Sequence, residues 1–361
     1  MENLNDIVAR FGIEGSAAEI RPLGEGLIND TYRVANACKE CPDYVLQRIN
    51  HHIFTDVEGL QRNIEVVTRH LRKKLEAEGA DDIDRRVLTF VPLADGSGKT
   101  YYFDGESYWR ISRFIPEAFT YSTVNPHYSR MAGEAFGRFQ SDLTDIPDTL
   151  VETIPDFHNM ELRLRQLNEA IEADAAGRLA EVQPIVDDLL RRGEAMTAAE
   201  RLYREGKLPK RVCHCDTKVN NMMFDADGNV LCVIDLDTVM PSFIFSDFGD
   251  FLRTAANTVA EDSPELDKIA FRTDIFEAFT EGYLKSAASF ITPLEKEMLP
   301  YATALFPYMQ AVRFLTDYIN GDTYYKTAYK GHNLVRTRNQ VRLLECIEAI
   351  TPQLRDFVAS R

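Results

Sequence analysis

The spacing of apolar and polar positions changes character about a third of the way along the chain. AAEIRPLGEGLINDTYRVANA, from Ala17, alternates with period two on either side of a glycine-containing loop, and DYVLQRIN alternates again. Successive side chains of a strand point to opposite faces, so this pattern predicts three strands. A helix follows: Val57, Leu60, Ile64, Val67, Leu71 and Leu75 recur at steps of three and four, Thr55 and Glu58 fit a capping box, and Gly79 ends the run. The segment RVLTFVPLADGSGKTYYFDGESYWRISRFIP then supplies further strands separated by DGSG and DG turns.

Beyond Pro116 the period becomes helical in PHYSRMAGEAFGRFQSDL, MELRLRQLNEAIEADAA and IVDDLLRRGEAMTAAERLYREG. One short strand-rich island interrupts it at residues 212 to 235, and helices resume from Glu261 to Arg361. No internal repeat or low-complexity tract stands out. The expected architecture is α+β and two-lobed, with a small β-rich lobe over residues 1–115, a larger helical lobe over 116–361, and a cleft between them.

Composition narrows the partners. The 361 residues carry 57 acidic and 41 basic side chains, a formal net charge of -16, without a Lys/Arg block long enough to track a phosphate backbone. Nucleic acid is therefore not an expected partner. No apolar run approaches the length that spans a bilayer, and the N-terminal MENLNDIVARFGIEG lacks the pattern of a signal peptide, so a cytoplasmic location without a membrane partner is expected. Six cysteines are too sparse for a disulfide scaffold and read as thiols. Cys38 and Cys41 form a C-x2-C without a second half at zinc-site spacing, which a polar loop explains equally well.

The candidate chemistry lies in the island, RVCHCDTKVNNMMFDADGNVLCVIDLDTVMP. His214, Asp216 and Asn221 fit H-x-D-x-x-x-x-N, the catalytic-loop pattern of kinases; this spacing selects Asn221 over its neighbour Asn220. A hairpin turning at Asp227-Gly228 then delivers Asp235, nineteen residues after Asp216. One carboxylate at the substrate hydroxyl and another at a metal need separate rigid supports, which makes Asp235 the expected magnesium aspartate. Asp237 lies two residues further and is either a supporting carboxylate or a solvated turn residue. His214 is expected to fix the loop rather than carry a proton, since Asp216 supplies the base. DADGN resembles a calcium loop, but Leu236 stands at the twelfth position, where a bidentate glutamate belongs.

SDFGDF, residues 246–251, contains the tripeptide that protein kinases use to hold magnesium. It comes thirty-one residues after Asp216 and opens a helix-like segment, so Asp247 is not an expected metal ligand. It is either a helix N-cap or a brace reaching back to the catalytic loop.

On these motifs the sequence resembles the aminoglycoside phosphotransferase and choline kinase-like superfamily over nearly its whole length. PLGEGLINDTYRV, YVLQRIN, HCDTKVNN, VIDLDTVMP, DFGDFLR and VRFLTDYINGDTYY with HNLVRTR are similar to the N-acetylhexosamine 1-kinases, which phosphorylate the anomeric hydroxyl of N-acetylglucosamine and N-acetylgalactosamine. The resemblance implies ATP as donor and Mg2+ as cofactor, Asp216 as catalytic base beside the sugar, and Asn221 and Asp235 as metal ligands. Gly24 and Gly26 would let the loop backbone approach the phosphates, though an ordinary hairpin turn explains them as well. One departure stands out: Gln47 occupies the place of the strand lysine, leaving Arg48 as the nearest cation, which can serve only if the strand twists or bulges. Its helix partner is open between Glu58 and Glu65. In TPLEKEMLPYATALFPYMQAVRFLTDY, Thr292 and Glu295 fit a helix start, and Arg313 continues the apolar stripe of Leu299, Ala302, Phe306 and Met309. Arg313 pairs either with Asp317 one turn on or with the substrate; the resemblance favours the substrate. Other alcohols are the alternative acceptors, such as homoserine, choline or methylthioribose, with Tyr308, Phe314, Tyr318, Tyr324 and Tyr325 as parts of an amine cage. A nucleotide-binding pseudokinase is the third reading. The pattern does not fix the oligomeric state.

Overall fold

The structure, a computed structural model, describes residues 3–24, 28–121 and 124–361. The chain divides into two compact units: residues 1–120, 145–155 and 222–240 form the first, and residues 121–144, 156–221 and 241–361 the second.

The first unit is built on a five-stranded antiparallel sheet of order β1-β2-β3-β5-β4, from β1 (Ala17–Pro22), β2 (Asp30–Asn36), β3 (Tyr44–Ile49), β4 (Tyr102–Phe103) and β5 (Tyr108–Arg113). The first three strands lie where the alternation puts them. Downstream, most of RVLTFVPLADGSGKT runs as coil, because the DGSG turn leaves too few residues for a second long hairpin. One sheet face, carrying Val34, Tyr44, Leu46, Trp109 and Ile111, is covered by Ile7 and Val8 of the short helix α1 (Leu4–Val8) and by Phe11.

The long helix is α2 (Val57–Ala77), and its N-cap is Asp56, not Thr55: the Asp56 carboxylate accepts from Gly59 N at 2.9 Å. A short helix α3 (Ile83–Arg86) leads into the coil. Asn63 of α2 explains why two remote stretches belong to this unit. It donates to Val151 O at 2.8 Å and Val239 O at 3.0 Å, and accepts from Val151 N at 3.0 Å. The hairpin of β7 (Met222–Phe224) and β8 (Val230–Val233) completes the unit and turns at Gly228, which has φ +83°.

The second unit is mainly helical: α4 (Pro126–Asp142), α5 (Met160–Ala173), α6 (Leu179–Met196), α7 (Ala198–Arg204), α8 (Phe245–Ala255), α9 (Thr273–Ala287), α10 (Pro293–Glu297), α11 (Leu299–Ile319) and α12 (His332–Ala359). Strands β6 (Arg211–Cys213) and β9 (Met240–Ser242) pair beside them. Helices α4 and α9 meet backbone to backbone at glycines. A Cβ on Gly133 would lie 2.2 Å from Phe279 O, and one on Gly282 would lie 2.1 Å from Arg130 O. The predicted capping box forms, with Thr292 N donating to Glu295 at 2.8 Å and Glu295 N to Thr292 Oγ1 at 3.2 Å. It starts only the short α10, because Pro300 cannot supply the N–H that would carry the helix onward and instead falls in the first turn of α11. No described helix is long and apolar enough to cross a membrane.

Candidate active site

The second unit carries the loop of Asp216. After β6 the chain passes Cys215, which is held at φ +63°, into a short 3-10 turn at Val219–Asn221. A non-glycine residue in that region stores local strain, which surrounding contacts must hold in place. Asp247 supplies them. Its carboxylate is fully buried and accepts from His214 N at 3.0 Å, Cys215 N at 2.8 Å and Gln140 Nε2 at 2.7 Å, while Thr217 Oγ1 donates to Asp247 O at 2.7 Å. Burial pushes its pKa up, against the pull of His214 and of these donors. The N-cap position of α8 is Ile244, so of the two readings of Asp247 the brace is the one observed. The rest of that tripeptide serves packing: Phe248 is buried, and a Cβ on Gly249 would lie 2.4 Å from Ala302 O of α11.

His214 is also fully buried, with Phe136 and Phe139 edge-on to its ring, and its Nδ1 accepts from Asp216 N at 3.3 Å. That contact holds the Asp216 backbone, while its side chain keeps 23% of its surface. Asn221 Nδ2 donates to Asp216 O at 2.7 Å, which leaves its amide oxygen as a hard donor able to face a cation. Lys218, which the sequence reading passed over, places its ammonium 2.6 Å from Asp216 Oδ1. Its signal was its place two residues after the aspartate on the same constrained turn. Asp250 lies further along α8, buried and bonded to Arg253 at 3.2 Å; burial and the nearby charge of Asp216 raise it to about 6 against the pull of Arg253.

Asp235 is carried by the first unit, at the end of the β7–β8 hairpin, exposed and at φ +60°. Its neighbour Asp237 points inward and is buried. There it accepts from Asn29 Nδ2 at 2.6 Å and lies 2.6 Å from Arg110 Nη1, a charge contact rather than an aligned hydrogen bond. Arg110 answers the departure at Gln47. The two face each other across the β3–β5 ladder, and Arg110 donates to Gln47 Oε1 at 3.0 Å and to Gln61 Oε1 of α2 at 3.2 Å. A buried guanidinium held by two amides and one aspartate thus lies across the ladder from the place where a strand lysine was sought. Glu65 instead accepts from Thr100, and Glu58 is exposed.

Arg48 does not have the distortion it needs. The ladders on both sides of β3 run without a register shift, so Arg48 projects from the face opposite Gln47 and pairs with Asp30 at the surface. Sequence reasoning missed Arg110 because it comes 63 residues after Gln47 and is brought opposite it only by strand pairing. Gly24 has φ +71° with open space around its Cβ position; Gly26 lies outside the described residues.

Arg313, half-buried on α11, does not pair with Asp317. The Asp317 carboxylate instead accepts from Thr323 N (2.8 Å), Tyr324 N (2.8 Å), Tyr325 N (3.0 Å) and Asn333 Nδ2 (2.8 Å). Arg313 donates to Gln310 at 2.8 Å and lies over the rings of Phe157 and Tyr325.

Comparison with known proteins agrees with this architecture. An aminoglycoside phosphotransferase from Alicyclobacillus acidocaldarius superposes with a TM-score of 0.62 at 14% identity, covering 100% of this chain and 98% of that one. An amicoumacin kinase bound to AMP-PNP and Ca2+ gives 0.59 at 14% identity, covering 93% and 91%. A choline/ethanolamine kinase family protein from Mesorhizobium loti gives 0.54 at 16% identity, covering 97% and 93%. These likenesses establish a kinase-like fold, with a small β-sheet lobe and a larger helical part. Residues 19–285, well over half of the chain, match the APH phosphotransferase enzyme family, and the protein therefore belongs to that family.

Proposed function

We propose that this phosphotransferase moves the γ-phosphoryl group of ATP to the anomeric hydroxyl of an N-acetylhexosamine such as N-acetylglucosamine or N-acetylgalactosamine. The bond from the γ-phosphorus to the β–γ bridging oxygen breaks, a bond to the sugar oxygen forms, and the hydroxyl proton passes to Asp216. The observation that carries the reading is the braced loop, which presents Asp216 outward while Asp247, His214 and Asn221 hold its backbone. Phosphoryl transfer needs little covalent help, so rigid placement of a base and of oxygen donors is the main contribution a protein makes.

By the sequence resemblance, Asn221 of the second unit and Asp235 of the first would each offer an oxygen of the hard type that Mg2+ takes, and the ion would neutralise charge on the phosphates. Lys218, 2.6 Å from Asp216 Oδ1, orients that carboxylate. The sugar assignment rests on the sequence strings and on Arg313, whose guanidinium is not taken up by Asp317. A choline-type cage is less well supported. Tyr308 is committed to Leu189 O and Tyr318 to Glu181, while Tyr325 stands beside the Arg313 cation.

Coupled ADP release with Mg-ATP tests this, using both N-acetylhexosamines, their 1-deoxy analogues, homoserine, choline and methylthioribose. Turnover with the free sugars and none with the 1-deoxy compounds is expected; turnover only with another alcohol would reassign the acceptor. Saturable nucleotide binding with no turnover on any acceptor would favour a pseudokinase. Asp216→Asn should lower turnover by roughly 10²–10⁴-fold, with the unfolding midpoint little changed. Near-normal turnover would remove the assigned base.

A further inference from the structure

The second unit contains a cavity of ≈ 420 Å³ walled by α5, α11 and the segment that follows α11. Two guanidinium groups line it, Arg163 from α5 and Arg313 from α11. All their hydrogen-bond acceptors are neutral. Arg163 donates to Gln166 Oε1 at 2.9 Å, Asp156 O at 3.2 Å and Phe157 O at 2.6 Å, and Arg313 donates to Gln310 Oε1 at 2.8 Å. Arg163 Nε and the Tyr325 hydroxyl are both buried without a partner.

Two carboxylates share the wall, and neither neutralises the pair. Asp317 is saturated by the donors of residues 323–325 and 333, and Glu169 is exposed and forms no ion pair among the described residues. Burial and the charge of Arg313 bring the Arg163 guanidinium down to about 10. Two like charges held together in a partly dry pocket repel, and an anion placed between them removes that cost.

Packed side chains join the cavity to the catalytic loop. Arg313 lies over the Phe157 ring, Phe157 stacks on His158 with ring centroids 4.3 Å apart, and His158 Nδ1 is 3.0 Å from Ser246 Oγ, one residue before the Asp247 that holds His214 and Cys215.

We infer that this cavity is the part of the acceptor site that receives a negatively charged substituent, so that the preferred acceptor is an acidic sugar bearing a carboxylate or a phosphate. Arg163 and Arg313 together grip that group, and the Tyr325 hydroxyl adds a third donor. The inference rests on the kinase reading given above and specifies its substrate.

The test uses one ring with three substituents: N-acetylglucosamine, its 6-carboxylate and its 6-phosphate. ADP release with Mg-ATP and equilibrium binding by calorimetry are measured for the wild type, Arg163→Gln, Arg313→Gln and Arg163→Lys. At least one anionic sugar is expected to exceed the neutral one in kcat/KM by about tenfold or more. The carboxylate and phosphate arms show which anion the pocket fits. Both glutamine variants should bring the ratio towards one, whereas Arg163→Lys, which keeps the charge, should retain most of it. A neutral sugar that is equal or better in the wild type overturns the inference and leaves the kinase reading intact. Binding of an anionic sugar that depends on the arginines, without turnover of any acceptor, keeps the pocket and removes the proposed function. Neither binding nor turnover removes both.

Discussion

Each unit uses a buried aspartate beside a segment of the proposed chemistry, Asp237 in the first and Asp247 in the second, and the two are satisfied in different ways. Asp237, two residues after Asp235, meets a guanidinium: Arg110 lies 2.6 Å away and is itself shared with Gln47 and Gln61. Asp247, which braces the loop of Asp216, meets neutral donors, two of them backbone N–H groups. A charge pair fixes which elements lie together but tolerates small rotations. Backbone donors instead fix the dihedral angles of the loop, so the residue adjoining a proposed base is held by the stiffer device.

This contrast can be broken experimentally, beginning with the brace. Asp247→Ala leaves three buried donors without an acceptor and should cost roughly 3–6 kcal/mol, read from urea unfolding, with a loss of turnover in whatever remains folded. A cost below about 1 kcal/mol would mean the donors find water and the brace is incidental. Next, Asp237→Asn strands a buried guanidinium and should cost about 3–5 kcal/mol, whereas Arg110→Met combined with Asp237→Leu should cost much less than the two single changes summed. Additive losses would show that each residue is held by its other partners rather than by the pair.

The third test is a pH dependence in the second unit. Asp250 titrates at about 6 in the folded chain, above the ordinary carboxylate value near 4. The folded state therefore binds the extra proton, and the associated stability is present below about pH 4 and lost as pH rises through about 6. Asp250→Asn should flatten that fall by up to about 3 kcal/mol in unfolding free energies measured from pH 4 to 7. An unchanged slope would show that Arg253 keeps Asp250 ionised throughout.

The smallest effect is expected at Arg48. Its surface pair with Asp30 should be worth less than about 1 kcal/mol, and Arg48→Ala should leave the KM for ATP within about twofold. A rise of about tenfold would restore Arg48 as the phosphate-binding cation expected from the sequence.

Much of this molecule was legible as a string. Period-two alternation placed β1 to β3, the 3.6-residue period placed α2, α4 and α5, and the capping box at Thr292 formed as written. H-x-D-x-x-x-x-N located the loop of Asp216 and Asn221, because that five-residue spacing lets the Asn221 amide close the loop onto Asp216 O. Helix termini were less legible: Asp56 displaced Thr55 as a cap, and Pro300 cut the last predicted helix in two.

Tertiary structure alone decided the partners of buried charges. Arg110 reached Gln47 through strand register, Asp247 reached His214 and Cys215 across 33 and 32 residues, and Asp317 turned to the loop after its own helix instead of to Arg313. A propensity or a cap is a property of neighbours in sequence, so the chain states it directly. The partner of a buried charge is whichever donor the packing brings within about 3 Å, whether 6 residues on, as for Asp317 and Thr323, or 208 away, as for Asp237 and Asn29, and it comes that close only once the fold exists.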